Sequence, residues 1–86
     1  MTTVNVYRVY VYFLQQWVCI LEDYNKDWVL NNIFDILSKL MDYYDISLLN
    51  YVVTEVDATG EHDIKEGFTI TKSEAIRMGL RDINDW

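Results

Sequence analysis

Proline is absent from this chain of 86 residues, and glycine occurs only at Gly60, Gly67 and Gly79. No flexible linker therefore divides it, and a chain this short has apolar surface for one core rather than two. It is expected to form a single compact domain over residues 1–86. Histidine occurs once, at His62, and cysteine once, at Cys19. Nucleophilic catalysis needs a nucleophile, a base and an orienting group, and one isolated histidine does not supply them. No phosphate-cradling glycine pattern occurs either, so the chain is not expected to be an enzyme. A lone cysteine cannot close an intramolecular disulfide, which suits a reducing, cytoplasmic setting. Cys19 sits in the apolar run Trp17–Leu21, where burial as a small hydrophobe is expected.

Cations are the other scarcity. Seven Lys and Arg stand against fourteen Asp and Glu, for a formal net charge of -7. Affinity for nucleic acid rests on Lys and Arg that neutralise phosphates, so direct nucleic-acid binding is disfavoured, as is an anionic membrane. A protein partner with a basic surface is favoured instead. The stretch Val4–Leu21 is apolar enough to suggest a membrane span or a leader. It contains Asn5, Arg8, Gln15 and Gln16, lacks a basic lead-in and ends without a small-residue cleavage site, which excludes both.

What is present is the material of a folded domain: 51% of residues are apolar, well above the level of a disordered acidic tail. Val4–Leu14 (VNVYRVYVYFL) is rich in Val, Tyr and Phe and predicts a strand. Trp17–Leu21 is again strand-like, so either a hairpin turns near Gln15-Gln16 or one long strand bends there, the hairpin being preferred. Asp23-Tyr24-Asn25-Lys26-Asp27 offers side chains that cap a helix start. From Trp28 to Tyr44 the apolar positions Val29 or Leu30, Ile33, Leu37, Leu40 or Met41, and Tyr44 fall at helical spacing. Asp35 and Lys39 lie four apart on the solvated side.

Ile46–Val56 and Ile64–Thr71 predict two more strands, joined by a polar loop, Asp57–Asp63, with Gly60 at its turn. Thr71-Lys72-Ser73-Glu74 fits a capping box, and Ile76, Leu80 and Ile83 mark the expected buried face of a helix over 72–81, with a frayed tail after it. The order β(β)αββα gives an α+β fold, a mostly antiparallel sheet of three to four strands with two helices on one face.

The acidic residues are the remaining chemical signal. Glu55, Asp57, Glu61, Asp63 and Glu66 cluster in the second hairpin, and Glu22, Asp23 and Asp27 cluster at the start of the main helix. Such clusters keep a small protein soluble; they also form a negative patch able to dock on a basic surface. Glu61, His62 and Asp63 are consecutive, so an extended chain sends them to alternate faces and no metal site is expected. No cofactor is expected. Seven Tyr and three Trp are many for this length and suit an interface. Tyr7, Tyr10 and Tyr12 occupy both faces of the first strand, so at least one is expected at the surface.

The segment Thr71–Asp82 (TKSEAIRMGLRD) resembles the second helix of ribbon-helix-helix repressors. That resemblance implies a dimeric DNA-binding regulator. The chain departs from the pattern in placing a whole hairpin, Ile46–Ile70, between its two helices, and in the sign of its charge. In size and charge the chain is similar to the short acidic inhibitors that bacterial viruses direct against host nucleases and defence systems, anti-CRISPR and anti-restriction proteins among them. This likeness implies a DNA mimic in the host cytoplasm. The expectation is a non-enzymatic acidic binding protein of that kind, a monomer or homodimer. The alternatives are the ribbon-helix-helix regulator and a small assembly subunit that pairs through a strand edge.

Overall fold

The structure, a computed structural model, describes residues 5–84. Its elements run β1 (Val6–Phe13), β2 (Gln16–Asp23), α1 (Lys26–Tyr43), β3 (Leu48–Asp57), β4 (Gly60–Thr71) and α2 (Lys72–Asn84). The strands form one sheet in the order β2-β1-β3-β4, and every neighbouring pair is antiparallel. The expected α+β class and the four-strand alternative within it are both met. No helix among the described residues is long and apolar enough to cross a membrane.

The two glutamines do mark a hairpin. Its turn is Leu14–Gln15, with φ of 53° and 65°, and Phe13 pairs with Gln16 across it. Two consecutive left-handed residues are the geometry of a type I′ turn, which matches the twist of the flanking strands and ordinarily calls for Asn-Gly. Neither Leu nor Gln signals it, which is why the sequence left the bend unresolved.

Asn25 caps α1, its side chain accepting from the Trp28 amide at 3.0 Å, while Asp23 accepts from the Asn25 amide at 2.8 Å. Val29, Ile33, Leu37 and Met41 form the fully buried stripe of the helix, at the spacing expected. Tyr44 is not part of it. It is the C-cap residue, half exposed, and its ring tilts against Phe13 at 4.9 Å. Asp45 follows at φ 54°, with the Asp45 amide on the Asp42 carbonyl and the Ile46 amide on the Met41 carbonyl at 2.7 Å. These are the two bonds of a Schellman motif, built here on Asp rather than Gly. On the exposed side of α1, Lys39 pairs with Asp35 at 3.0 Å as the spacing predicted.

The core lies between the helices and one face of the sheet. Val9 and Val11 of β1, Leu49, Tyr51 and Val53 of β3, and Ile70 of β4 meet the α1 stripe and Ala75 of α2. α1 packs over β1 and β2, and α2 lies beside α1 and next to β4. Tyr7 and Phe13 share the core-facing side of β1, so Arg8, Tyr10 and Tyr12 point to the opposite, outer face.

Three local expectations fail. Cys19 is exposed rather than buried, because it pairs with Tyr10 and so shares the outer face. The predicted loop Asp57–Asp63 is mostly strand: only Ala58 and Thr59 turn, and Gly60, at φ 132°, already begins β4. Register carries Glu61, His62 and Asp63 into pairing with Val56, Glu55 and Thr54. At the start of α2, Ala75 is fully buried and Ile76 is 38% exposed, so Ile76 does not lie on the buried face as expected. The chain leaves β4 directly into the helix, with the Lys72 amide bonded to the Ser47 carbonyl. The side chains of Leu80 and Ile83, and the tail 85–86, lie outside the described residues.

The capping box is present in altered form. The Glu74 amide donates to Thr71 Oγ1 at 3.2 Å, and the return bond comes from the Thr71 hydroxyl to Glu74 Oε1 at 2.9 Å rather than from the Thr71 amide. α2 is preceded by β4 and not by a helix, so the chain does not form the helix-helix unit of the repressors that Thr71–Asp82 resembles.

Candidate functional site

The register of the sheet turns two clusters that are distant in sequence into one end of the molecule. Across the four strands, Glu22 pairs with Arg8, Arg8 with Thr54, and Thr54 with Asp63. The next row joins Asp23, Tyr7, Glu55 and His62. Beyond it lie Val6, Val56 and Glu61, and then the Asp57–Gly60 turn. α1 starts three residues after Asp23, so Asp27 in its first turn stands at the same end. Glu22, Asp23, Asp27, Glu55, Asp57, Glu61 and Asp63 are thus gathered there, with Arg8 and Lys26 among them; Lys65 pairs with Val53 one step further along β4, and its side chain lies outside the described residues. The eighth expected residue, Glu66, pairs with Val52 nearer the middle of β4, and its side chain lies outside the described residues.

The seven carboxylates do not form one uniform surface, because the two-residue alternation of the strands divides them between faces. Glu22, Glu61 and Asp63 share the outer face with Arg8 and Thr54. Asp23, Glu55 and Asp57 stand on the helix side with Tyr7.

Several of them are engaged within the fold. Arg8 Nε lies 2.7 Å from Glu22 Oε2, and its Nη1 lies 3.5 Å from Glu61 Oε1. Thr54, almost completely buried, donates to Glu61 Oε2 at 2.6 Å. The Thr54 hydroxyl, then that of Tyr10, hold the Glu61 carboxyl below its ordinary pKa, and the Arg8 charge adds to the effect. Burial and the bond to Glu61 push the Tyr10 phenol up in turn. Arg8, bonded to Glu22, is held more firmly protonated than usual.

At the turn, Asp57 Oδ1 accepts from the Thr59 hydroxyl at 2.6 Å and the Thr59 amide at 2.8 Å. These bonds, more than His62 at 3.4 Å, lower the Asp57 carboxyl. His62 Nε2 also lies 2.8 Å from Thr59 Oγ1, so the one histidine braces a hairpin turn. Glu55 accepts from Asn5 at 3.4 Å and raises the Tyr7 phenol by hydrogen bonding to it. Among the described residues, the side chains of Asp27 and Asp63 have neither a hydrogen-bond nor an ion-pair partner. No cluster of three metal-ligating side chains occurs among the described residues.

Toward the other end of the outer face the chemistry changes. Cys19, Tyr10 and Val52 form one row, and Trp17 and Tyr12 the next. Thr69 donates to Asn50 at 2.9 Å farther across the same side. Trp17 and Tyr12 are about half exposed, with ring centroids 5.4 Å apart in an edge-to-face arrangement. Tyr12 is one of the three tyrosines of which at least one was expected at the surface, whereas no expectation attached to Trp17 or Arg8 as surface residues. Their common face was hidden in the hairpin register, and only a fixed turn at Leu14–Gln15 would have revealed it. No protein-family model, no curated protein and no solved structure matches this chain.

Proposed function

We propose that this chain is a non-enzymatic binding protein whose acidic end docks on the basic surface of a protein partner. The partner chemistry that fits is a groove that otherwise takes nucleic acid, so the chain acts as a DNA-mimicking inhibitor. One observation carries this reading: the register brings seven carboxylates from two separate sequence clusters to a single end of the sheet, where Arg8 and Lys26 are the cations whose side chains are described. Such a field steers a basic partner and lets it exchange its phosphate contacts for carboxylates. The assembly-subunit alternative gains no comparable support, since both edge strands are irregular: β2 carries an extra residue at Ile20, and β4 one at Ile64 and another between Gly67 and Ile70.

The test uses Asp27 and Asp63, whose side chains have no partner among the described residues. Wild-type protein and the variant Asp27→Lys with Asp63→Lys are immobilised in parallel, exposed to lysate of the native host, and the retained partner is purified and titrated against both. The expected partner is basic, binds wild type with an affinity that falls steeply as salt rises, and is displaced by duplex DNA. Unchanged affinity for the double variant, or an affinity indifferent to salt, would overturn the proposal.

A further inference from the structure

On the outer face, cross-strand pairing sets the edge-to-face pair Tyr12–Trp17 two rows from Glu22, Arg8, Thr54 and Asp63, with Cys19, Tyr10 and Val52 in between. No described element packs on this face. Successive rows lie about 7 Å apart, so the aromatic pair and the acidic row are separated by about 13 Å. Alternate side chains of an extended polypeptide repeat at the same spacing.

The chemistry of the two ends selects an occupant. Arg8 is satisfied by Glu22 and Glu61 and shields the centre of the face. Asp63 remains without a partner among the described residues, and the chain as a whole carries a charge of -7. A second copy brought against this face would add its own negative charge to the interface. An anionic chain is repelled for the same reason. A cationic segment is attracted, and Tyr12 and Trp17 discriminate among cations: a planar guanidinium stacks on an aromatic face, whereas a compact, strongly hydrated ammonium does so less well.

We infer that the outer face of the sheet binds an arginine-rich polypeptide segment, with Tyr12 and Trp17 stacking on its guanidinium groups while Glu22 and Asp63 pair with neighbouring ones. This rests on the reading of the chain as a binder of basic protein surfaces and adds to it the face used and a preference for arginine over lysine.

The probes are octa-arginine and octa-lysine peptides, titrated into the full chain at low salt. Binding is read by calorimetry and by the Trp17 indole NMR resonance, assigned through Trp17→Phe. Octa-arginine should bind several-fold more tightly than octa-lysine and shift the Trp17 resonance. Tyr12→Leu with Trp17→Leu should weaken octa-arginine roughly fivefold and leave octa-lysine almost unaffected, so that the preference disappears. Circular dichroism confirms that the variant folds, and the single variant Trp17→Leu, at an exposed position, gives the same readout with less disturbance.

Failure separates cleanly. Equal affinity for the two peptides, with binding still weakened by Asp27→Lys and Asp63→Lys, overturns the arginine-binding face and leaves the acidic-end reading standing. Binding of neither peptide overturns both. A dimer by sedimentation that becomes a monomer in Trp17→Leu overturns the inference in favour of a second copy on this face.

Discussion

Thr54 donates a 2.6 Å hydrogen bond to Glu61 across the β3–β4 hairpin, on the face of the sheet turned away from the helices. The bond joins a nearly buried hydroxyl to a carboxylate that also faces Arg8, so one residue of β4 is tied to both central strands. Replacing Thr54 with Val keeps the shape and removes the donor. The expected cost, read from urea denaturation at neutral pH, is about 1 kcal/mol, at the low end for a bond to a charged group because Glu61 can still reach water.

Acid should expose the same contact. Glu61 and Asp57 both have pKa values lowered in the folded state. A group whose folded pKa lies below its unfolded one stabilises fully above the unfolded value and stops doing so as pH falls through the folded value. Stability is therefore expected to decline on acidification below the ordinary carboxylate range. Glu61→Gln should be less stable than wild type at neutral pH and show a shallower decline, measured as denaturation midpoints across an acid series. Parallel declines in the two proteins would remove Glu61 as a contributor.

The left-handed positions give the opposite sign. Asp45 closes α1 at φ 54°, where Gly is free of the Cβ penalty, so Asp45→Gly should stabilise by about 0.5–1 kcal/mol. Leu14→Asn with Gln15→Gly supplies the residues that a type I′ turn favours and should stabilise by roughly 1 kcal/mol or more. Thermal midpoints above wild type check both.

The packing at the start of α2 is tested by two neighbours. Ala75 is fully buried, so Ala75→Asp puts a charge into the core and should cost about 3 kcal/mol or prevent folding. Ile76 is 38% exposed, and Ile76→Lys should stay within about 0.5 kcal/mol of wild type. The face expected from sequence would reverse that order.

Cys19 offers a chemical check. Because it is exposed, a thiol reagent should label it stoichiometrically in the native protein without denaturant. Protection until unfolding would return it to the interior.

What the sequence made legible follows from how local each signal is. The α1 stripe Val29, Ile33, Leu37 and Met41, the Asn25 cap and the Asp35–Lys39 pair all depend on residues three or four apart, and each was readable. The acidic clusters were visible as strings, but their meeting at one end depends on β1 lying between β2 and β3, which no local pattern encodes. The face of Cys19 followed from a register set by a turn with no turn residues. In α2 the apolar spacing put Ile76 on the buried face, whereas Ala75, its neighbour at the start of the helix beside the β4–α2 junction, is the buried residue. In each failure a long-range constraint overrode a correct local propensity.

The Leu14–Gln15 turn also bears on how the chain finds its fold. A hairpin whose turn is unfavourable is a poor starting point, so β1 and β2 should not zip together early. β1, second in the sheet order, instead meets β3 through residues roughly forty to fifty positions apart, and such a search is slow compared with closing a short loop. The nucleus is then expected in the later half of the chain, around β3, β4 and their two-residue turn. Substitutions there should slow refolding, whereas changes at Leu14 and Gln15 should act mainly on the rate of unfolding.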